Sequence, residues 1–145
     1  MAARKRRMEI VRAPVYLICG SRDFKDAEKM LRFLAVLPKP IAVISGMASG
    51  ADMMGHAWAT AQGIPVKEFP ADWKRHGKGA GMIRNQQMFD EGRPTLIIGF
   101  PTNPADIGPG TTGMLNIGFK GQVPTYYAGE KEWVVIDKPL VFRRK

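Results

Sequence analysis

The amino-acid sequence predicts a three-layer α/β fold, in which a mainly parallel, five-stranded sheet lies between helices. Short apolar segments alternate along the 145 residues with longer segments whose apolar residues recur at helical spacing. Such alternation implies β–α–β crossovers, which give parallel strands with helices on both faces of the sheet. Because no internal repeat or linker interrupts the pattern, we expect a single domain.

The five predicted strands are short and apolar, and turn residues bound each of them. They cover residues 14–20, 41–45, 64–69, 94–100 and 123–128. Pro65 favours an edge position for the third segment, or the first position of its strand. The final segments EWVVID and PLVFRR could add a hairpin or a further strand.

The helices are predicted between the strands, over residues 25–37, 50–63, 81–91 and 111–120. Pro38 and Pro40 end the first helix, whereas Gly63 is expected to cap the second at its C-terminal end. Residues 70–80, PADWKRHGKGA, show no apolar periodicity and are predicted to be irregular.

The chain carries a formal net charge of +9, and much of the excess lies in ARKRR near its start and FRRK at its end. We assign residues 1–13 to a basic tail and residues 14–145 to the domain. The basic segments could bind nucleic acid or phosphorylated molecules, or could be solvated tails. No apolar run approaches the ~20 residues of a membrane span. The single cysteine, Cys19, excludes an internal disulfide, which fits a cytoplasmic protein.

Ligand-binding residues are expected in the loops that follow the strands, because parallel sheets bind ligands beyond the carboxyl ends of their strands. After the first strand, the segment GSRDF supplies Gly20, Ser21 and Arg22. The guanidinium of Arg22 suits a phosphate or a carboxylate. An equally simple interpretation is that Ser21 or Asp23 caps the next helix while Arg22 is solvated.

The loop after the second strand, SGMASGAD, is rich in small residues and offers Ser45, Gly46, Gly50 and Ala51. Unpaired backbone amides at a helix start form an anion site. Close packing of the helix on the sheet would also require small residues at these positions. We favour the anion site, because Gly46 and Gly50 flank the turn and Ser45 and Ser49 add donors.

The loop after the fourth strand contains GPGTTG, which matches the dinucleotide pattern G-x-G-x-x-G only weakly because it follows a late strand. Its Gly110, Thr111 and Thr112 nevertheless predict a glycine-rich cradle with two hydroxyls at a helix start. Loops of this kind bind phosphate through their backbone amides.

The segment GKGAGMIRNQQM, residues 77–88, places Arg84 and Asn85 in the first turns of a helix after three glycines. Arg84 would neutralise the charge of a ligand, and Asn85 would read an amide, a ribose or a base edge. Together with the three loops, these side chains predict one site for a phosphate-bearing ligand at the C-terminal edge of the sheet.

Two further residues have both a functional and a structural interpretation. Asp52 could be a catalytic carboxylate or a ribose ligand, but an aspartate in a first helical turn also stabilises the helix dipole. Trp73 could stack on a base, or could close the core. No Cys/His spacing predicts a metal site, and no resident cofactor is predicted.

The segments GSRDF, ISGMASGAD, FPADW, GKGAGMIRNQQM and PGTTGM follow one another in the order seen in the SLOG superfamily, named for the Smf/DprA and LOG proteins. The similarity covers residues 15–126, and the chain resembles the YspA-type branch most. The resemblance implies a Rossmann-like fold with a pocket for a nucleotide or a derivative such as AMP, ADP-ribose or an NAD-like molecule. It also implies the lining of that pocket: Gly20, Ser21, Arg22, Gly46, Gly50, Ala51, Asp52, Arg84, Asn85, Gly110 and Thr111.

One departure from this family pattern bears on enzyme activity. LOG-type phosphoribohydrolases carry a glutamate three residues after the threonine of their Gly-Thr loop, and Met114 occupies that position here. A thioether cannot serve as a general acid or base. We therefore expect a protein that senses or sequesters a nucleotide-derived ligand, with a nucleotide N-glycosidic hydrolase or transferase that uses Asp52 as the first alternative. DprA-like binding of single-stranded nucleic acid is the second alternative, and a homodimer is expected because folds of this type often dimerise.

Overall fold

The computed structural model describes residues 13–142, in which six strands and four helices of nine or more residues form one α/β domain. The strands are β1 (Val15–Gly20), β2 (Ala42–Ser45), β3 (Val66–Glu68), β4 (Leu96–Phe100), β5 (Thr125–Ala128) and β6 (Trp133–Val135). The longer helices are α1 (Ala27–Ala35), α2 (Ala51–Ala61), α4 (Ala80–Gly92) and α5 (Pro109–Lys120). A single helical turn, α3 (Trp73–His76), and a 3₁₀ turn (Gly77–Gly79) precede α4.

The sheet has the strand order β3-β2-β1-β4-β5-β6, and β1 to β5 are parallel. Along the chain, β2 and β3 are added on one side of β1, and β4 is then added on the other side of β1. Gly20 lies opposite Phe100 in the register of β1 with β4. The carboxyl ends of these two strands therefore form the point at which the strand order reverses, where α/β sheets bind ligands.

The predicted count of five strands is one too low, because β6 pairs antiparallel with β5. The strand comes from EWVVID, one of the two C-terminal segments predicted as a hairpin or a further strand, whereas no strand forms over residues 139–142 of the other. The amide of Gly129 donates to the carbonyl of Glu132 over 2.9 Å, which closes a tight turn between the strands. A short turn permits only an antiparallel neighbour, since a parallel one needs a crossover.

Apolar side chains pack on both faces of the sheet, as the α/β prediction requires. Tyr16 and Ile18 of β1 are buried on the side of α1 and α2, whereas Leu17 and Cys19 are buried on the side of α4 and α5. Successive strand residues point to opposite faces, so a strand that is covered on both faces appears in the sequence as a continuous apolar run. Each fully buried large aliphatic side chain contributes roughly 1.5–3 kcal/mol to stability.

Residues 70–80 are more regular than predicted, because they contain α3 and the 3₁₀ turn. The carboxylate of Asp72 caps α3 by accepting from the amide of Arg75 over 3.1 Å. Gly77 then has φ 59°, a conformation that side chains other than glycine rarely adopt. The glycine before α4 therefore allows a sharp turn between two helical segments.

No helix within residues 13–142 is long and apolar enough to cross a membrane. The basic segment ARKRR and the last three residues of FRRK lie outside the described residues, as does nearly all of the tail assigned to residues 1–13.

Candidate functional site

At the base of the candidate site, three backbone segments contact one another at the point where the strand order reverses. A Cβ atom on Gly20 would lie 2.3 Å from the carbonyl oxygen of Phe100 and 2.6 Å from the Cβ of Ala51. The amide of Ser21 donates to the Phe100 carbonyl over 3.1 Å, and the Ser21 carbonyl accepts from the Ala51 amide over 3.1 Å. A Cβ on Gly50 would lie 2.3 Å from the Ser21 carbonyl oxygen. The ends of β1 and β4 and the start of α2 are thus fixed against one another.

Above this base lies an open cleft with a larger hollow of about 650 Å³ and a smaller one of about 260 Å³. The larger hollow brings together nine of the residues predicted from the sequence: Gly20, Ser21, Arg22, Asp52, Trp73, Arg84, Asn85, Gly110 and Thr111. Gly46 lines the smaller hollow, together with Arg22, Trp73 and Arg84. Ser45, Gly50, Ala51 and Thr112 line neither hollow.

Arg84 of α4 places a buried cation between the two hollows, since the residue is only 8% exposed and lines both. Its Nε donates to the side-chain oxygen of Asn85 over 3.0 Å, and its Nη1 donates to the Gly46 carbonyl. Among the described residues, Nη2 has no acceptor. Burial lowers the pKa of Arg84, and the carboxylate of Asp52 opposes that shift. An arginine stays protonated in proteins, so the cleft presents a charged donor that a ligand can use.

Asn85 connects Arg84 to the start of α5. The residue is 5% exposed, and its side-chain nitrogen donates to the Gly110 carbonyl over 3.4 Å while its oxygen accepts from Arg84. These contacts fix the guanidinium relative to α5, a positioning role that sequence reasoning did not assign. The predicted role of Asn85 in reading a ligand group stays a prediction.

The start of α5 is open to the larger hollow. Gly108 occupies the N-cap position, no side chain caps the helix, and Pro109 follows at the first helical position. The amides of Gly110 and Thr111 donate to no acceptor among residues 13–142. Thr112 is turned away, since its hydroxyl donates to the Ile107 carbonyl over 3.4 Å. Unpaired amides at a helix N-terminus favour an anion.

In the loop that precedes α2, side chains accept from two of the backbone amides, whereas no side chain caps the start of α5. The Met47 amide donates to the Ser45 hydroxyl over 3.1 Å, and the Ala48 amide donates to Oδ2 of Asp52 over 3.3 Å. Ser45 is fully buried, and its hydroxyl donates to the Asp52 carbonyl. The loop therefore holds Asp52 in place and packs α2 against β1.

Asp52 is a buried carboxyl beside Arg84, with 5% of its surface exposed. Burial raises the pKa of Asp52 to about 6, although the Ala48 amide and the charges of Arg84 and Arg22 lower it. A Cβ on Gly46 would lie 2.8 Å from both Oδ2 of Asp52 and Nη1 of Arg84. The two charged groups flank this glycine without forming an ion pair; within residues 13–142 the only such pair is His56–Glu68, at 2.8 Å. A carboxyl with a pKa near neutrality can exchange a proton with a ligand.

Arg22 and Trp73 form the boundary between the two hollows, and each lines both. The Arg22 guanidinium lies 5.6 Å from the centre of the Trp73 ring, a cation–π contact. Trp73 is 49% exposed, so about half of the residue remains accessible to a ligand. The hydroxyl of Ser21 accepts from the Thr102 amide over 2.9 Å, which ties the loop after β1 to the loop after β4.

Several residues of the larger hollow were not predicted as site residues. Its floor contains Cys19, Met88 and Met114, and the loop after β4 supplies Thr102, Asn103 and Asp106. The rule that placed ligands beyond the strand ends applies equally to this loop and could have identified it. Burial raises the pKa of the Cys19 thiol, which keeps it protonated and unreactive. No cluster of His, Cys, Asp and Glu that could hold a metal ion occurs in the described part of the chain.

Comparisons with known proteins show which family the chain belongs to. The family model described as "YspA, cpYpsA-related SLOG family" matches residues 14–76. The "Gene 61 protein" of Mycobacterium phage D29 is 31% identical over 124 residues, which cover 79% of this chain and 96% of the phage protein. The chain belongs to the YspA and cpYpsA-related SLOG family. No solved structure matches this SLOG protein significantly.

Proposed function

We propose that the cleft binds a phosphorylated, nucleotide-derived ligand, which the protein senses or sequesters. The observation that carries the proposal is the buried guanidinium of Arg84, in which one donor nitrogen has no acceptor among residues 13–142 and lies next to the open start of α5. Hydrogen bonds between charged partners are roughly twice as strong as neutral ones. A guanidinium and two helix-start amides therefore form a strong site for a phosphoryl group.

The rest of the larger hollow supplies groups that suit a nucleoside. Its volume of about 650 Å³ lies within the range of small-molecule sites. The half-exposed ring of Trp73 offers a face for a base, and the sulfur-containing floor residues offer apolar contact. Asp23, Asp52 and Asp106 line the same hollow and can accept hydrogen bonds from ribose hydroxyls. Membership of the SLOG family adds support for a nucleotide-related ligand.

The proposal is tested by thermal unfolding in the presence of AMP, ADP-ribose and NAD. A ligand at 100 times its Kd stabilises the folded state by about 2.7 kcal/mol, which for a chain of this size corresponds to a rise in Tm of roughly 5–10 °C. Arg84→Met should abolish the rise, and Arg84→Lys should reduce it because the forked donors are lost. Arg32→Met, on the exposed side of α1, is the matched control and should keep the full rise.

A melting temperature that none of the three compounds changes would refute the proposal. If instead only oligonucleotides raise it, with a steep dependence on salt, single-stranded nucleic acid is the ligand.

A second candidate is hydrolysis or transfer at the N-glycosidic bond of the bound nucleotide. The observation that favours it is Asp52, a buried carboxyl with a pKa raised to about 6 beside Arg84. Such a group can protonate a leaving base or activate water. Chromatography of AMP incubated with the protein should then show free adenine, and Asp52→Asn should prevent its release while AMP still binds. Binding without base release identifies a sensor or a sequestering protein.

A further inference from the structure

The two hollows of the cleft differ in charge. Three cationic and three acidic side chains line the larger hollow: Arg22, Lys78, Arg84, Asp23, Asp52 and Asp106. In the described part of the chain, the smaller hollow has two cationic side chains, Arg22 and Arg84, and no acidic one. Both arginines are shared, so the positive charge of the cleft is concentrated where the two hollows meet.

The junction is also where the strongest unused donors lie. Arg84 is more than nine-tenths buried, and Nη2 has no acceptor in the described part of the chain. Gly46 opens the smaller hollow to this guanidinium, because a Cβ there would lie 2.8 Å from Nη1. Arg22 is held at the same boundary by the Trp73 ring. An anion at the junction would thus meet two guanidinium groups at once.

We infer that the ligand carries its negative charge in its middle, at the junction, and extends a polar group into each hollow. This inference rests on the proposed function and narrows it to molecules joined through a phosphodiester or a pyrophosphate. A pyrophosphate diester has two negative charges and can contact both arginines at once, and the carboxylate of Asp52 beside Arg84 offsets part of their positive charge. A terminal monophosphate would leave the smaller hollow without an occupant. The positive charge of the smaller hollow would then be only partly neutralised.

The test compares AMP, ADP and ADP-ribose by calorimetric titration at pH 7.5, because each compound extends the previous one by one group. ADP adds a terminal phosphate, and ADP-ribose adds a sugar beyond it. ADP-ribose should bind at least about tenfold more tightly than ADP, the equivalent of about 1.4 kcal/mol. The gain should come from the sugar that enters the smaller hollow.

Ala71 provides a way to block the smaller hollow alone, since it lines that hollow and not the larger one. Ala71→Leu should bring the Kd of ADP-ribose to within about threefold of that of ADP, with the Kd of AMP unchanged. Ser49→Leu, at a second position that lines only the smaller hollow, should have the same effect. Ala57→Leu, at an exposed position of α2 that lines neither hollow, is the matched control and should change none of the affinities.

Equal affinities of the wild type for ADP and ADP-ribose would overturn the inference and leave the proposed function intact. The inference would also be overturned, with the proposed function intact, if Ala71→Leu and Ser49→Leu weaken the binding of AMP and of ADP-ribose by equal factors. If none of the three compounds binds the wild type, both the inference and the proposed function fail.

Discussion

The helices α1 and α5 follow neighbouring strands of the sheet, yet they begin in opposite ways. The carboxylate of Asp26 caps α1 by accepting from the Lys29 amide over 3.0 Å. α5 begins at Gly108 with no side-chain cap among the described residues, and its first residues line the cleft. An N-cap side chain contributes roughly 0.5–2 kcal/mol. The N-terminus of α1 is therefore capped from within the chain, whereas the amides of Gly110 and Thr111 at the start of α5 have no acceptor among residues 13–142.

The largest effect should come from converting the start of α5 into one like that of α1. Gly108 has φ −69° and ψ 168°, a conformation suited to an N-cap, and a Cβ there would meet nothing within 4 Å. In Gly108→Asp the new carboxylate should accept from the open amides and repel the ligand. We expect the Kd for a nucleotide ligand to rise about a hundredfold, or about 2.7 kcal/mol, while the protein becomes more stable by about a few tenths of a kcal/mol, since glycine is itself a fair N-cap residue.

Calorimetric titration and denaturant unfolding of Gly108→Asp measure these two opposite changes. The matched variant Gly108→Ala adds a methyl group without a cap and should change ligand affinity much less. Unchanged affinity in Gly108→Asp would show that the start of α5 does not hold the ligand.

α2 shares features with both α5 and α1: it begins at a glycine, Gly50, but has an aspartate, Asp52, in its first turn. Burial raises the pKa of Asp52 from 3.8 to about 6, so the folded state binds the proton more tightly than the unfolded state. The free energy of unfolding should therefore fall as pH rises from about 4 to about 6, by roughly 2–3 kcal/mol for this group. In Asp52→Asn that loss should be absent.

Denaturant unfolding of the wild type and of Asp52→Asn at pH 4, 5, 6 and 7 measures the effect. The stability of the variant relative to the wild type should increase over this range. A difference that stays constant from pH 4 to pH 7 would contradict the raised pKa.

A smaller loss is expected when the link between α4 and α5 is removed. Asn85→Ala deletes the acceptor of Arg84 Nε and the donor to Gly110. The guanidinium then loses its fixed orientation, and we expect the Kd for a nucleotide ligand to rise about tenfold, in line with the loss of one hydrogen bond to a charged group. Gln87→Ala, at an exposed position of the same helix, should leave the titration curve unchanged. Equal affinities for both variants would exclude the positioning role.

The smallest effect should come from removing the N-cap of α1. Asp26→Ala removes the cap of α1, and we expect the free energy of unfolding to fall by about 1 kcal/mol with no change in ligand affinity. Glu28→Ala, also in the first turn of α1, removes a carboxylate that does not cap the helix and should cost less. A clear loss of ligand affinity in Asp26→Ala would contradict the separation of α1 from the site.

The sequence predicted the order of the main elements and the region of the site, since apolar periodicity and the rule about strand ends depend on local patterns alone. That Gly20, Arg22 and Arg84 line one cleft follows from the parallel sheet. β6 was harder to predict, because its direction depends on a hydrogen bond across a tight turn at Gly129.

Which backbone amides are hydrogen-bonded within the chain could not be predicted from the sequence. The loop before α2 and the start of α5 are both rich in glycine and hydroxyl residues, yet Asp52 and Ser45 occupy amides in only the first of them. Trp73 lies between the two hollows and lines both of them. Its position is set by a helical turn, which forms within residues predicted to be irregular.

The contact of Gly20 with Phe100 and Ala51 also limits how this protein can diverge from its relatives. A single methyl group at Gly20 would overlap the neighbouring backbone, so the shape of the cleft base cannot change through gradual enlargement of side chains there. New ligand preferences must therefore arise in the surrounding walls, at residues 70–79 and 102–107, where the chain can lengthen or exchange residues without moving the strand ends.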